Sequence, residues 1–430
     1  MAEYLSPGVY VEEFESGGKP MEGVGTSTAG FVGLAEKGPI SGVPQLVTNF
    51  ADFKRTYGGF LSENEFGEYR FLAYAVEHFF LNGGARCYIA RVAPASAKCA
   101  SAQIGDLVFT AKNPGVWGDS IGVKISASSK AKTQALEKLE DKKYRVKNAA
   151  GFNPGDIVAF ADGESVEYNK VEKNQDNILT FANAFSADIT DTNLLPAKVI
   201  TTCEISLEIK CDDIVESYEN VSFNIEAANY ISKKTAKSDL VEIAWNGDSS
   251  AIVAPAEALG DGAVEFTGGS NGAASDLSAA DFIGTDNGAG NRTGIQAFLD
   301  NDVVSIMAVP GVTDPNVQLT LVAHCENLAS RFAVLDIPRN AKKTDEIIAH
   351  RDIYSSSYAA LYHPWLTVFD PLDKKNIAIP PSGSIMGIYA RSDNTRGVHK
   401  APANEVVRAC VGLDVAFNKG EQDILILIQL

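Results

Sequence analysis

The hydrophobic pattern of this 430-residue chain changes character twice, and these changes constrain its fold more than any other feature. Residues 29–112 and 266–370 combine short apolar runs with apolar positions at helical spacing, which predicts strands alternating with helices. Residues 113–265 instead alternate apolar and polar side chains, as at 205–210, which predicts half-buried antiparallel strands. We therefore expect an α/β (α+β) multidomain protein, because the chain is also longer than one typical core.

The two outer regions are expected to form one discontinuous α/β core domain, 29–112 plus 266–370, whose sheet is interrupted by the mainly antiparallel β region. The predicted helices cover 49–57, 68–81, 316–331 and 344–354, and the predicted strands cover 28–34, 87–92, 302–309, 332–337 and 358–369. Residues 371–430 are expected to form a C-terminal α+β domain.

The β-rich insertion, 113–265, has two interpretations. Residues 144–199 contain their own turn signals, such as the run 153–156 with sequence Asn-Pro-Gly-Asp, which predicts short strands in a segment small enough for a β-barrel module. Alternatively, 113–265 forms one longer continuous β-domain. The alternation of side chains favours neither interpretation.

The N-terminal residues 1–28 are expected to form an extended arm and a tether. Pro7 fixes φ, Gly8 allows a change of direction, and Val9 to Val11 favour a strand that has no local hairpin partner. This strand either pairs within its own domain or needs the sheet edge of another molecule. The candidate arm residues are Tyr4, Ser6, Pro7, Gly8, Val9, Tyr10, Val11, Glu12 and Glu13.

Composition excludes several functions. With 37 basic and 55 acidic residues the net charge is −18, which argues against broad nucleic-acid binding because that needs clustered Lys and Arg. The six cysteines form no Cys-x-x-Cys pair, which argues against a structural zinc site and a disulfide framework. The sequence has neither a signal-peptide pattern nor a long apolar stretch, so we expect cytoplasmic production without membrane insertion.

The glycine-rich segment 284–294 is the most site-like part of the chain, since glycines ahead of a helix can hold phosphate. It lacks the Gly-Lys-Ser/Thr ending of a P-loop, however, and follows no predicted strand. The five histidines are isolated from one another, and no Gly-x-Ser-x-Gly motif is present. We expect no enzyme activity and no cofactor; the alternative is a cytoplasmic α/β enzyme that uses the loop 284–294.

Several short motifs occur in an order that resembles contractile tail sheath proteins of phages, prophages and phage-like contractile injection systems. They are Ser6-Pro7-Gly8-Val9-Tyr10-Val11-Glu12-Glu13, Ala29-Gly30-Phe31-Val32-Gly33, Phe79 to Tyr88, Gly284-Thr285-Asp286 with Arg292-Thr293-Gly294, Ala308-Val309-Pro310-Gly311, and Ala390-Arg391 through Asn404. The resemblance covers roughly residues 1–110 and 265–418 and leaves the middle largely unmatched.

The resemblance implies a structural protein that polymerises with itself around a tail tube, contracts by subunit rearrangement and contacts baseplate and tail terminator proteins. It implies cytoplasmic assembly, then residence in a virion tail or a released phage-like particle, without direct contact to nucleic acid. It also implies that the arm adds a strand to a neighbouring subunit and that the C-terminal domain lies against the tube. The candidate tube-facing or inter-subunit residues are Arg391, Asp393, Arg396, His399 and Lys400.

The end of the chain departs from the family pattern, because the usual segment after 418 is replaced by a short apolar run. This run is β-prone and predicts a C-terminal strand. Because the usual segment is missing, we expect a shortened C-terminal domain. The strand candidates are Ile424, Leu425, Ile426, Leu427 and Ile428.

Overall fold

The computed structural model describes residues 27–162, 165–186, 198–259 and 262–427. The strands in these ranges are β1 (Ala29–Leu34), β2 (Gln45–Val47), β3 (Cys87–Val92), β4 (Ser101–Ile104), β5 (Leu107–Ala111), β6 (Ile121–Ser128), β7 (Lys132–Glu140), β8 (Lys143–Val146), β9 (Ile157–Asp162), β10 (Ser165–Gln175), β11 (Ile178–Phe181), β12 (Val199–Thr202), β13 (Glu204–Cys211), β14 (Ile214–Val221), β15 (Val241–Trp245), β16 (Ala263–Glu265), β17 (Ile306–Ala308), β18 (Phe332–Asp336), β19 (Ala359–Tyr362), β20 (Leu366–Asp370), β21 (Lys375–Ile379) and β22 (Gly412–Leu413).

The α-helices in the same ranges are α1 (Phe50–Tyr57), α2 (Glu63–Phe66), α3 (Leu72–Leu81), α4 (Ile231–Lys234), α5 (Pro255–Leu259), α6 (Ala279–Ile283), α7 (Pro315–Leu328), α8 (Thr344–Arg351), α9 (Ser382–Arg396) and α10 (Lys419–Leu427). A 3₁₀ helix covers Gly294–Asp300. The helices and strands predicted in the α/β regions are confirmed in type, with shorter bounds in most cases. The region predicted as one strand over 358–369 instead holds β19 and the start of β20.

The core is a six-stranded sheet in the order β19-β18-β17-β1-β3-β2. Its neighbouring strands are parallel except for the edge strand β2, which runs antiparallel to β3. All six residues of β1 are buried, because the central strand is covered on both faces. Phe31 points to the face covered by α1, α3 and α9, whereas Val32 points to the face covered by α6, α7 and the 3₁₀ helix.

The insertion contains a four-stranded sheet, β14-β13-β6-β16, and a closed barrel in the order β10-β11-β8-β7-β12-β9. The strands β6 and β13 pair antiparallel along their whole lengths. Strand β6 leads directly into the barrel strand β7, and the barrel strand β12 leads directly into β13. The barrel interior is filled by aromatic rings, with Tyr144, Phe160 and Phe181 arranged around Phe185. The division of the chain into domains stays a prediction.

A buried ion cluster lies where the chain enters and leaves the barrel. The Lys130 ammonium is 2.7 Å from a carboxylate oxygen of Asp156 and 3.4 Å from one of Glu204. These carboxylates are only 1% and 2% exposed, and burial raises the pKa of Glu204 despite its hydrogen bond from the Lys130 amide. The single ammonium therefore holds two buried carboxylates at the base of the barrel.

The C-terminal part packs directly against the core sheet. Helix α9 lies on α3, and a Cβ at Gly383 would come within 2.4 Å of the Ala75 carbonyl oxygen, so only glycine allows this approach. Strand β20 pairs with β21 on one side and with the two-residue β22 on the other. The boundary predicted between 370 and 371 therefore falls inside the β20–β21 hairpin.

The strand predicted at the end of the chain is wrong for residues 424–427, which belong to helix α10. The cause is a capping box: the Asn418 side chain accepts a hydrogen bond from the Glu421 amide, and the Glu421 carboxylate accepts one from the Asn418 amide. These two bonds satisfy amide donors at the start of a helix and favour helical extension through the apolar run. Ile428 lies outside the described residues.

Candidate assembly surface

Arg391 on α9 is largely buried and uses its donors inside the chain. Its guanidinium donates to the carbonyl oxygens of Asn82 at 3.1 Å and Val406 at 2.8 Å, and it lies 3.4 Å from the Glu405 carboxylate. The Asn82 side chain in turn accepts a hydrogen bond from the Arg408 amide. Arg391 therefore fastens the segment after α9 to the end of α3, and among the described residues its guanidinium does not pair with Asp393.

Lys400 pairs with the other oxygen of the Glu405 carboxylate. Its ammonium lies 3.2 Å from Glu405 and 3.3 Å from the Ala401 carbonyl oxygen. The hydrogen bond from Lys400, supported by the charges of Arg396 and Arg391, lowers the pKa of Glu405. The sequence analysis did not single out Glu405 or Asn82, because their convergence depends on contacts between α3, α9 and the segment after α9.

Two of the three remaining candidates face solvent. Arg396 and His399 are exposed and Asp393 is half-buried. The same C-terminal segment, 396–413, carries four aliphatic side chains that are 55–75% exposed. We call these exposed residues of the segment 396–413 the C-terminal surface; they are Arg396, Val398, His399, Val406, Val411 and Leu413.

The first described residues lie beside this surface. The Ser27 hydroxyl is 3.4 Å from the Asn394 side-chain oxygen near the end of α9. Thr28 is fixed by a hydrogen bond from the Arg86 side chain to its hydroxyl and by one from its amide to the Ser305 hydroxyl. Ser27 therefore lies next to the end of α9, whereas the candidate arm residues Tyr4 to Glu13 lie outside the described residues.

The glycine-rich loop 284–294 is closed by its own side chains. Arg292 forms ion pairs with Asp286 and Asp300. The Asp286 and Asp300 carboxylates also accept hydrogen bonds from the Gly288 and Gly290 amides, at 3.1 Å and 3.0 Å. Backbone donors of the kind that would bind a phosphate are thus occupied by carboxylates, and the nucleotide-binding alternative loses its structural basis.

The histidines belong to the packed interior, apart from His399. Burial lowers the pKa of His78, His324 and His363 to about 4, so these rings are neutral at pH 7. Across the described ranges, no group of three or more His, Cys, Asp or Glu side chains forms a metal-binding arrangement. In those same ranges, no helix has the length and apolar content needed to cross a membrane.

Comparisons with known proteins agree on one family. The model of the phage tail sheath protein central domain matches residues 287–428. A prophage major tail sheath protein of Pseudomonas aeruginosa strain UCBPP-PA14 is 26% identical over 152 residues, covering 34% of this chain and 39% of that protein. The tail sheath protein of Salmonella phage ViI is 28% identical over 102 residues, covering 19% of this chain and 16% of that protein.

The fold is similar to a sheath tail protein from Listeria innocua, with a TM-score of 0.50, 10% identity, and coverage of 93% of this chain and 63% of that one. This chain therefore spans less than two thirds of the length of each of these relatives. The class of protein that the matches define is the tail sheath proteins. Within this chain, residues 287–428 are the segment that matches the phage tail sheath protein central domain.

Proposed function

We propose that this chain is a structural subunit of a contractile tail sheath. It polymerises around a tail tube and contracts by subunit rearrangement, which drives the tube through a target cell envelope. Its partners are copies of itself, the tube protein, and the baseplate and tail terminator proteins. Assembly takes place in the cytoplasm of the producing bacterium, and the product is a virion tail or a phage-like particle.

The main support is the position of the C-terminal surface. All of its residues fall inside the segment 287–428 that matches the sheath domain. A contiguous exposed apolar patch commonly marks an interaction site, and the four exposed aliphatic side chains of this segment are candidates to form one. Arg396 and His399 add polar groups at the rim, which is typical of protein–protein interfaces.

The β20 edge is suited to accept the arm of another subunit. Among the described residues, β22 pairs with β20 only at Leu366 and Thr367, so Val368 to Asp370 have no strand partner on that side. An extended segment such as Tyr4 to Glu13 adds to such an edge through backbone hydrogen bonds. These bonds persist while side-chain interfaces rearrange, so strand exchange keeps subunits connected during contraction.

Electron microscopy of the purified protein, alone and with its tube protein, tests the proposal. We expect hollow cylinders whose bore matches the tube. The double variant Val406→Asp/Val411→Asp should abolish cylinders while the circular dichroism spectrum stays unchanged. Val215→Asp is the matched control, because Val215 is similarly exposed at 53% but lies on β14 in the insertion.

Deletion of residues 1–15 tests the arm separately. The shortened chain should remain folded and lose the links between subunits, seen as free subunits in place of cylinders. A chain that stays monomeric with the tube protein under all conditions, or cylinders that tolerate both aspartates, would refute the proposed role of this surface.

A further inference from the structure

A cleft of about 610 Å³ opens in the insertion, outside the segment that matches the sheath domain. Lys170 of β10 lines its barrel side. The turn before β5, the segment after β14 and the end of β15 line the opposite side, with Asp106, Phe223, Asn224, Glu226 and Trp245. The volume falls within the roughly 300–1,000 Å³ of small-molecule sites, which often lie between structural units.

Two aromatic side chains form part of the cleft wall. The ring centroids of Phe223 and Trp245 are 4.9 Å apart, with the rings tilted at 56°. Both rings are half-buried, so part of their apolar surface is supported by the protein and part faces the cleft. Trp245 pairs with Leu107 in the β15–β5 ladder, which places the neighbouring Asp106 at the same end of these strands.

Two carboxylates in the cleft are free acceptors, whereas the Asp248 carboxylate accepts hydrogen bonds from the amide and the hydroxyl of Ser250. Within the ranges that the structure describes, no donor or cation pairs with the carboxylates of Asp106 or Glu226. The Asn224 amide is fixed by hydrogen bonds to the Pro154 carbonyl oxygen and the Asp156 carboxylate. The Lys170 ammonium donates to the Ser249 carbonyl oxygen at 2.9 Å, so it is partly engaged.

We propose that this cleft binds a neutral oligosaccharide. A sugar ring has an apolar C–H face that packs against an aromatic ring, and hydroxyl groups that donate to carboxylates; the cleft supplies both partners. The carboxylates of Asp106, Glu226 and Asp248 disfavour an anionic ligand such as a nucleotide or an acidic sugar. The inference is independent of the sheath proposal, because the cleft lies outside residues 287–428.

The full chain is titrated with maltotriose, cellotriose, chitotriose and mannotriose, followed by saturation-transfer NMR and tryptophan fluorescence. Each sugar is taken to about 10 mM, where a site with a Kd of about 1 mM would be nine-tenths filled. Trp245 is the half-buried indole, whereas Trp117 and Trp365 are buried, so a bound sugar should change the fluorescence through Trp245. Saturable binding of at least one sugar is expected.

Trp245→Ala and Asp106→Ala should each weaken that binding at least tenfold, with unchanged circular dichroism. Phe369→Ala is the control, since Phe369 is an exposed aromatic ring on β20, away from the cleft. The proposal is overturned by lack of saturation with all four sugars, or by undiminished binding in Trp245→Ala. Tighter binding of spermidine than of every sugar also overturns it, because that result would identify the cleft as a cation site.

Discussion

Replacing Lys130 by Met removes the cation from the base of the barrel and leaves Asp156 and Glu204 buried beside each other. Removing one partner of a buried ion pair typically costs about 3–5 kcal/mol. Lys130 is itself only 16% exposed, so solvent screening reduces this little; we expect a loss of about 3 kcal/mol, at the lower end of that range. The loss of stability should appear in the barrel, since the ion cluster lies where β6 leads into the barrel and where β13 leaves it.

The assay is hydrogen exchange measured by mass spectrometry on peptides from 132–202, which reports the free energy of opening of the barrel. Lys138→Met is the matched control on β7, because Lys138 pairs with Asp141, which is 84% exposed, and such surface pairs contribute roughly 0–1 kcal/mol. Equal exchange in the two variants would refute the reasoning.

The pH dependence gives a second check on the same variant. The folded-state pKa of Glu204 is raised by burial, so its stabilising contribution is present below the unfolded pKa and is lost as pH rises through the folded pKa. Loss of the ammonium raises this pKa further. The loss of stability caused by Lys130→Met should therefore be largest at neutral pH and shrink as the pH falls through the raised pKa of Glu204, where its carboxylate takes up a proton. Adding Glu204→Gln should recover part of the loss at pH 7.

Three further predictions follow from buried or closely packed groups. Burial raises the pKa of Asp336 from 3.8 to about 6. The free energy of unfolding lost in Asp336→Asn, measured by urea titration, should therefore decrease between pH 4 and pH 7, by up to about 3 kcal/mol. A loss that does not change with pH would contradict this. Gly383→Val should lower the melting temperature strongly, because its Cβ meets the Ala75 backbone, whereas Gly59→Ala, with open space around it, should not. Arg292→Gln should speed amide exchange at 285–291, and unchanged exchange there would show that the ion pairs do not hold the loop.

Three core strands, β1, β3 and β18, could be predicted closely from the sequence because they are continuous apolar runs. The strand predicted over 87–92 has the bounds of β3, and the one over 28–34 differs from β1 by one residue. Helix α10 was missed because an unbroken apolar run has no period that separates helix from strand; the Asn418–Glu421 capping box was the signal that decided it.

The candidate site was predictable only in part. The sequence singled out residues of the segment 391–400, but it gave Arg391 and Lys400 the same role as Arg396 and His399. The difference comes from Glu405 and Asn82, which approach α9 through tertiary contacts. The cleft around Trp245 was also missed, since its walls come from segments as far apart as 106 and 245.

The adjacent entry and exit of the barrel have a mechanical consequence. The chain reaches the barrel through β6 and leaves it through β13, and these strands are hydrogen-bonded side by side. A pulling force applied between Ser27 and the C-terminal surface acts along the core sheet, and the barrel lies outside the path of this force. Its sequence is therefore free to change without altering how the core carries tension, and the barrel can be carried through a large movement without being stretched.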